Sequence, residues 1–353
     1  MYEDAWLSSA VSSRDMMAGD AAKARQAVLT KPAGSLGRLE EMAVFLASCQ
    51  GRECPEISNP HILIFAADHG IVEEGVSAFP AEVTTQMMLN FLNGGAAISV
   101  LAHELGAKLS VIDVGSLADD MPDGIVTDRV AKGSKNFRHA QALTREELLH
   151  AFSAGQRAVM RSLDAQADIL IPGEMGIGNT SAAAAVAAGV TGRFVEDICG
   201  PGTGLTAEGV KQKAAILRAA LKHHGLSGEN DPLDVLLKVG GHEIAALCGS
   251  FIAAAQAGCP VLVDGFICSV AALAAVKINP GARDWLIFSH KSAEPGHGIV
   301  LDALEAKPLL DLGMRLGEGS GASVALPLLK LACRLHSGMA TFESAGVSAG
   351  EGK

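Results

Sequence analysis

Aromatic side chains are scarce, 4% of 353 residues, and charged ones make up only 19%. No run of five or more Lys or Arg occurs, and 28 basic against 39 acidic residues leave a formal charge of −11. That balance argues against general nucleic-acid or anionic-membrane binding. A local phosphate site is not excluded, because one phosphate needs a few N–H groups and one cation rather than a basic protein. The seven cysteines (Cys49, Cys54, Cys199, Cys248, Cys259, Cys268, Cys333) are odd in number and show no C-x-x-C spacing. They read as buried, reduced thiols in a cytoplasmic protein. The start, Met1-Tyr2-Glu3-Asp4-Ala5-Trp6, lacks the basic and apolar regions of a signal peptide. The most apolar stretch, Phe251 to Ile278, is divided by Pro260 and Asp264 and reads as helix, buried strand, helix, not as a membrane span.

What is abundant points to a large core. Hydrophobic side chains make up 49%, with 40 Gly and 13 Pro as punctuation, enough to exclude disorder and a disulfide-stapled miniature. At about 150 residues per domain the length suggests roughly two domains, or one large α/β domain with an appendage. Continuous apolar runs recur at His61–Asp68, Leu109–Gly115, Asp168–Glu174, Val261–Gly265 and Trp285–His290. Runs without alternation suit strands covered on both faces. Between them lie helical stretches, Ala81–Leu101, Glu146–Leu163, Ala207–His224 and His242–Cys259. This order implies a parallel, doubly wound sheet. Residues 1–60 read as helices broken at Lys31–Glu40. The part from about 305 reads as helical apart from a glycine loop, with the last dozen residues a loose tail. The expected division is 1–60 and 305–353 as one small helical domain and 61–304 as the sheet domain.

Each apolar run ends in a polar group: Asp68-His69, Asp113, Glu174, Asp264, Ser289-His290. Ligands of open parallel sheets bind outside the carboxyl ends of the strands, so this rim predicts a small-molecule site. Gly173-Glu174-Met175-Gly176-Ile177-Gly178-Asn179-Thr180-Ser181 is a strand, glycine turn and helix start that can present N–H groups to an anion, with Thr180 or Ser181 as N-cap. Gly200-Pro201-Gly202-Thr203-Gly204 precedes a helix whose Lys211 or Lys213 is either a counter-charge or part of a solvated face. Arg315-Leu316-Gly317-Glu318-Gly319-Ser320-Gly321 holds a carboxylate between glycines after a helical stretch. If buried, Glu318 is a proton acceptor near neutral pH; otherwise it is a surface loop residue. Glu73–Pro80, with Phe79, can hold a flat ring. No H-E-x-x-H, Cys/His cluster or G-x-S-x-G occurs, so metal and Ser-His-Asp chemistry are not expected.

Taken in order, Lys31-Pro32-Ala33-Gly34-Ser35-Leu36-Gly37-Arg38-Leu39-Glu40, Ala67-Asp68-His69-Gly70 with Glu74-Gly75-Val76, Val111–Gly115, Gly173–Gly176 with Asn179-Thr180, Lys238-Val239-Gly240-Gly241, Asp264-Gly265-Phe266, Ser289-His290 with Ser292-Ala293-Glu294, and Met314–Gly321 resemble the nicotinate-nucleotide–dimethylbenzimidazole phosphoribosyltransferase family over residues 29 to 335. The resemblance implies a Rossmann-like parallel sheet with a small helical domain built from both chain ends. It implies transfer of phosphoribose from nicotinate mononucleotide to 5,6-dimethylbenzimidazole, giving α-ribazole 5′-phosphate and nicotinate with inversion at the anomeric carbon. Glu318 falls on the family's general base, with Glu174 as the second catalytic carboxylate. Pro32, Gly176, Gly202, Lys213, Asp264 and Ser292 fall on the ribose and phosphate positions. Ser77, Phe79, Gln86, Met87, Met175 and Leu316 surround the acceptor base. No cofactor or metal is implied, and the family is typically a homodimer whose partner subunit closes each site. Adenine or a phenol is an alternative acceptor. The rival functions are a non-catalytic nucleotide binder, which has no need of Glu318, and a dinucleotide oxidoreductase, whose fingerprint Asp68–Val72 lacks.

Overall fold

The computed structural model describes residues 4–348. Six strands, β1 (Pro60–Ala67), β2 (Lys108–Gly115), β3 (Ile125–Thr127), β4 (Ile169–Met175), β5 (Val261–Val263) and β6 (Leu286–Phe288), form one sheet in the order β3-β2-β1-β4-β5-β6. Every pairing is parallel. The chain enters at the centre, winds to one edge, then returns and winds to the other, so its crossovers place helices on both faces. β1 and β4 are buried at every residue, as their unbroken apolar runs require. This is the Rossmann-like, doubly wound α/β architecture expected. β3 was not expected: it is a three-residue edge strand with only Ile125 buried, held by pairing with Val111–Asp113 rather than by a run of its own.

The helices are α1 (Met16–Val28), α2 (Arg38–Gln50), α3 (Glu82–Leu92), α4 (Ala97–Leu105), α5 (Arg145–Asp164), α6 (Asn179–Thr191), α7 (Val195–Ile198), α8 (Ala207–His223), α9 (Pro232–Val239), α10 (His242–Ala257), α11 (Phe266–Ile278), α12 (His297–Ala303), α13 (Ser320–Gly338) and α14 (Phe342–Ala345). Three expectations need correction. The stretch Ala81–Leu101 is two helices, because Gly94, at φ +80°, ends α3 after Asn93. The segment ahead of Arg315 is not helical: α12 ends at Ala303, Leu310 forms a parallel bridge with His290, and Pro308 and Gly313 (φ +68°) interrupt any helix. The end of the chain is ordered further than the expected loose tail, since Thr341 and Ser344 close a capping box on α14, while residues 349–353 lie outside the described residues. The cysteines are all unpaired, yet Cys54 is exposed and Cys49 only partly buried, against the expected burial. No helix among the described residues is long and apolar enough to cross a membrane.

Both chain ends meet. α2 packs against α1 and α13, Arg25 Nε donates to the His336 carbonyl at 2.9 Å, and Leu29 forms an antiparallel bridge with Thr341. On the opposite face of the sheet α5 and α10 cross at backbone contact. A Cβ on Gly155 would lie 2.0 Å from the Ala246 carbonyl oxygen, and one on Gly249 would lie 2.3 Å from that of Phe152. Backbone cannot swing aside as a side chain can. Gly155→Ala is therefore expected to lower unfolding free energy by about 1–3 kcal/mol. Urea unfolding curves measure this, and an unchanged midpoint would show that the two helices separate freely.

Candidate active site

β4 ends in Glu174, Met175 and a glycine turn. Gly176 is required there, because a Cβ would meet the Ala67 carbonyl oxygen of β1 at 2.4 Å. The helix that follows is capped by Gly178 at φ +95°, not by Thr180 or Ser181, and begins at Asn179. A left-handed residue suits glycine, and it frees the side chains of the first turn for other work. Asn179 donates its amide to the Glu174 carboxylate, and the Thr180 hydroxyl accepts from Lys213 Nζ at 2.9 Å. Beneath this turn lies a fully buried pair, His69 and Glu243, 2.7 Å apart.

The second carboxylate comes from the loop that enters α13. Gly317, Glu318 and Gly319 are all left-handed, at φ +86°, +63° and +72°. For Glu318 that conformation costs about 1–2 kcal/mol, and the Ser320 hydroxyl steadies it by donating to the Gly317 carbonyl at 2.6 Å. The loop lies directly on the tip of β4: a Cβ on Gly173 would meet Gly319 N at 2.5 Å, and one on Gly317 would meet Glu174 Oε1 at 2.3 Å. Asp264, at the tip of β5, accepts the Ala322 amide of α13 at 2.8 Å and lies 3.5 Å from His290 Nε2 after β6. Glu174, Asp264 and Glu318 are all buried, and Glu318 Oε2 has no hydrogen-bond partner.

The same site is also flanked by a polar cradle around a buried cation. Lys213, 1% exposed, donates to Thr180 and, at 3.4 Å, to the Gly200 carbonyl. Lys211 is exposed and pairs with Glu208 on the surface. Gly202 turns at φ +52°, where a Cβ would strike Thr180 Oγ1 at 2.6 Å, and its carbonyl accepts from Arg315 Nη1 at 3.1 Å. Thr203 ties this turn to the loop after β1, its hydroxyl 3.2 Å from Ser77 Oγ and accepting the Ala78 amide at 3.1 Å.

Carboxylates and cradle face one cavity of about 480 Å³. Glu174, Glu318, Gly176, Gly202, Asp264, Ser292, Phe79, Met87, Met175 and Leu316 line it, with Phe79 and Leu316 more than half exposed at its mouth. Lys213 stands behind Thr180, and Ser77 acts as a loop anchor rather than a wall. Two named positions lie elsewhere. Gln86 is exposed on α3, about 200° round the helix from the buried Thr84 and Met88. Pro32 is exposed on a loop braced by the Lys31–Glu40 ion pair at 2.8 Å. The rim is also unequal: Asp113 is occupied by the amides of Gly115 and Ser116 and by Arg129, while Asp68 accepts the Leu117 amide through Oδ2, leaves Oδ1 unpartnered, and lies outside the cavity lining. Thr180, Thr203, Glu294 and Arg315 line the cavity without having been singled out as site residues; only their places inside glycine-rich or strand-tip motifs signalled them.

A family model described as phosphoribosyltransferase matches residues 11–347. Among curated relatives, the nicotinate-nucleotide–dimethylbenzimidazole phosphoribosyltransferase of Bradyrhizobium sp. (strain BTAi1) is 55% identical over 97% of this chain and 98% of its own. The protein of that name from Pseudomonas syringae pv. syringae is 53% identical over 98% of each. A crystal structure of the Thermus thermophilus protein of that name superposes with a TM-score of 0.88 at 43% identity, covering 95% of this chain and all of the other.

Burial pushes Glu174 up to about 8, reinforced by Asp264, Glu243 and Glu318 and opposed by the Asn179 hydrogen bond. Burial, then Asp264, pushes Glu318 up to about 7. Both groups hold a proton more tightly folded than unfolded. Their contribution to stability is therefore fully present below the ordinary carboxylate value of 4.5 and is lost as pH rises through about 7 and about 8. Glu174→Gln, which cannot ionise, is expected to be more stable than wild type above pH 8, by on the order of a few kcal/mol, and to lose that advantage toward pH 5. Thermal melts across that range test it; an advantage that persists at pH 5 would locate the cause outside Glu174 ionisation.

Proposed function

Because the chain belongs to the nicotinate-nucleotide–dimethylbenzimidazole phosphoribosyltransferase family, we propose that it moves phosphoribose from nicotinate mononucleotide to 5,6-dimethylbenzimidazole. The supporting observation is that two buried carboxylates, Glu318 and Glu174, share one cavity with Thr180 and Gly202, behind which the buried Lys213 bonds Thr180. The cradle takes the 5′-phosphate, Asp264 and Ser292 the ribose, and the apolar side with Phe79, Met87, Met175 and Leu316 the acceptor ring.

The chemistry asks little of an acid. The pyridinium of the donor already leaves as a neutral base, taking the electron pair of the C1′–N bond. A benzimidazole nitrogen forms the new bond from the opposite face, which inverts the anomeric carbon, and its second nitrogen gives up a proton. Glu318 receives that proton, and Glu174 stabilises the positive charge that develops on the ribose. A proton acceptor held near neutrality suits this task better than an ordinary carboxylate.

We read residues 1–60 and 305–353 as one small helical domain beside 61–304, on the packing of α2 with α1 and α13. The homodimer is part of the same reading. Pro32 is exposed on a braced loop and does not line its own cavity, so it is free to serve the site of a second subunit. The unpaired cysteines support a cytoplasmic setting.

The test is to incubate the protein with nicotinate mononucleotide and 5,6-dimethylbenzimidazole, with adenine and a phenol as other acceptors, and to follow products by chromatography and mass. Ribazole phosphate is the expected product; inert mixtures with every acceptor would favour a nucleotide binder. Glu318→Gln is expected to lower kcat by about 10²–10⁴-fold with a smaller change in KM. In the wild type, kcat/KM should rise with pH through about 7, and an equal rate in the variant would remove Glu318 as the base.

A further inference from the structure

The mechanism above leaves Glu294 without a task, although it lies in the cradle. Its residue is 6% exposed, it lines the cavity, and its Oε2 has no hydrogen-bond partner. The carboxylate fills the space beside Gly200, where a Cβ would lie 2.0 Å from Oε2. Its place is fixed from behind. The Glu294 amide donates to Ser292 Oγ at 3.3 Å, the His297 amide donates to the Glu294 carbonyl at 3.0 Å, and the Ala293 amide donates to the Met314 carbonyl at 2.9 Å.

The charged and titratable groups around it come from four segments. Burial pushes the Glu294 carboxyl above its ordinary value, and against this Lys213 of α8, the Gly202 amide of the glycine turn and Arg315 ahead of α13 favour its ionised form. Cys199, after α7, is a buried thiol held in its neutral form. On its own segment, His297 Nδ1 accepts the Ser292 amide at 2.7 Å, so its Nε2 carries the hydrogen and donates to Ser269 Oγ at 3.0 Å. His290 lies by Asp264. Glu294 is thus the carboxylate that balances Lys213 and Arg315 while the cradle holds no anion. A phosphate entering there brings oxygens that only accept, next to a carboxylate oxygen that only accepts; one proton between them removes the conflict.

We propose that Glu294 is the exchangeable counter-ion of the phosphate cradle, ionised when the cradle is empty and taking up one proton from solvent when an oxyanion binds. Protonated, it becomes a donor to the bound oxyanion. This rests on the reading of the cradle as the phosphate site and adds to it a residue that couples binding to pH.

Sulfate tests it, because sulfate has no proton to exchange near neutrality and any proton taken up belongs to the protein. Calorimetric titration of the full chain with sulfate, in two buffers of different ionisation enthalpy at pH 7.5, is expected to show uptake of close to one proton per sulfate. Affinity should fall toward tenfold per pH unit once Glu294 is ionised. Glu294→Gln should bind sulfate with no uptake and a flat pH dependence, and Glu294→Asp should retain uptake. Absence of uptake in the wild type, or the same uptake in Glu294→Gln, would overturn the proposal, the latter assigning the proton to Glu174 or Glu318. No sulfate binding alongside normal turnover would place the phosphate elsewhere and overturn it too. Proton-linked sulfate binding without ribazole phosphate formation would retain Glu294 and reject the reaction.

Discussion

The site depends on one close approach, that of Gly319 to Gly173. A side chain on Gly173 would hold the loop before α13 away from β4, while Gly319 serves the same approach through its left-handed backbone at φ +72°; without it Glu318 would lie in solvent instead of over Glu174. Contact at this distance removes water from two carboxylates at once, and that desolvation raises both above their ordinary range. It also forces Glu318 into a left-handed conformation with an unpartnered oxygen. These costs fall at one point and are offset elsewhere: nearly every residue of α6, and every residue of α10 and α11 apart from their last turns, is buried. A large apolar core tolerates a polar, strained centre that a small one could not.

The same desolvation gives the proposed reaction its direction. With the cavity free of ligand, Glu174 largely keeps its proton at neutral pH and Glu318 is about half protonated. A pyridinium nucleotide brings positive charge into the cavity, and positive charge favours the ionised form of any carboxylate facing it. Donor binding therefore prepares the base it needs. Ground-state destabilisation of the free protein and stabilisation of a cationic ribose are two aspects of one arrangement of acids, which is why removing a carboxylate can raise stability while lowering rate.

The central sheet was legible because buried parallel strands need unbroken apolar runs, and five such runs are present. Features that depend on neighbours were not. β3 exists only through its pairing with β2, and the N-cap of α6 falls on Gly178 because its left-handed turn packs against His69 and Val72, after β1. Gln86 belongs to a motif-bearing stretch, yet the helix phase set by Thr84 and Met88 turns it outward. Glu318 was readable as a candidate from its flanking glycines, but its burial was not, since that depends on Gly173, remote in the chain. Glu294 could be quoted as part of a pattern, while its orphaned oxygen appears only once α8, the glycine turn and the segment ahead of α13 converge.

Five strand tips carry polar groups, but they do not share one fate. On the β1–β2 side Asp68 and Asp113 accept amides from the loops that follow, and Arg129 completes the shell around Asp113. Asp113, with both oxygens engaged, has no lone pair to offer a ligand, whereas Asp68 keeps Oδ1 unpartnered but does not line the cavity. On the β4–β5–β6 side the loops are short of such donors. Asp264 receives one amide from α13, Glu174 one side-chain amide from Asn179, and Glu318 leaves an oxygen unpartnered. Acids that line the cavity, rather than the mere presence of acids, distinguish one half of the sheet: Glu174, Asp264 and Glu318 line it, and Asp68 and Asp113 do not. The order of the strands puts both halves along a single edge, and the loops decide which half remains open to substrate.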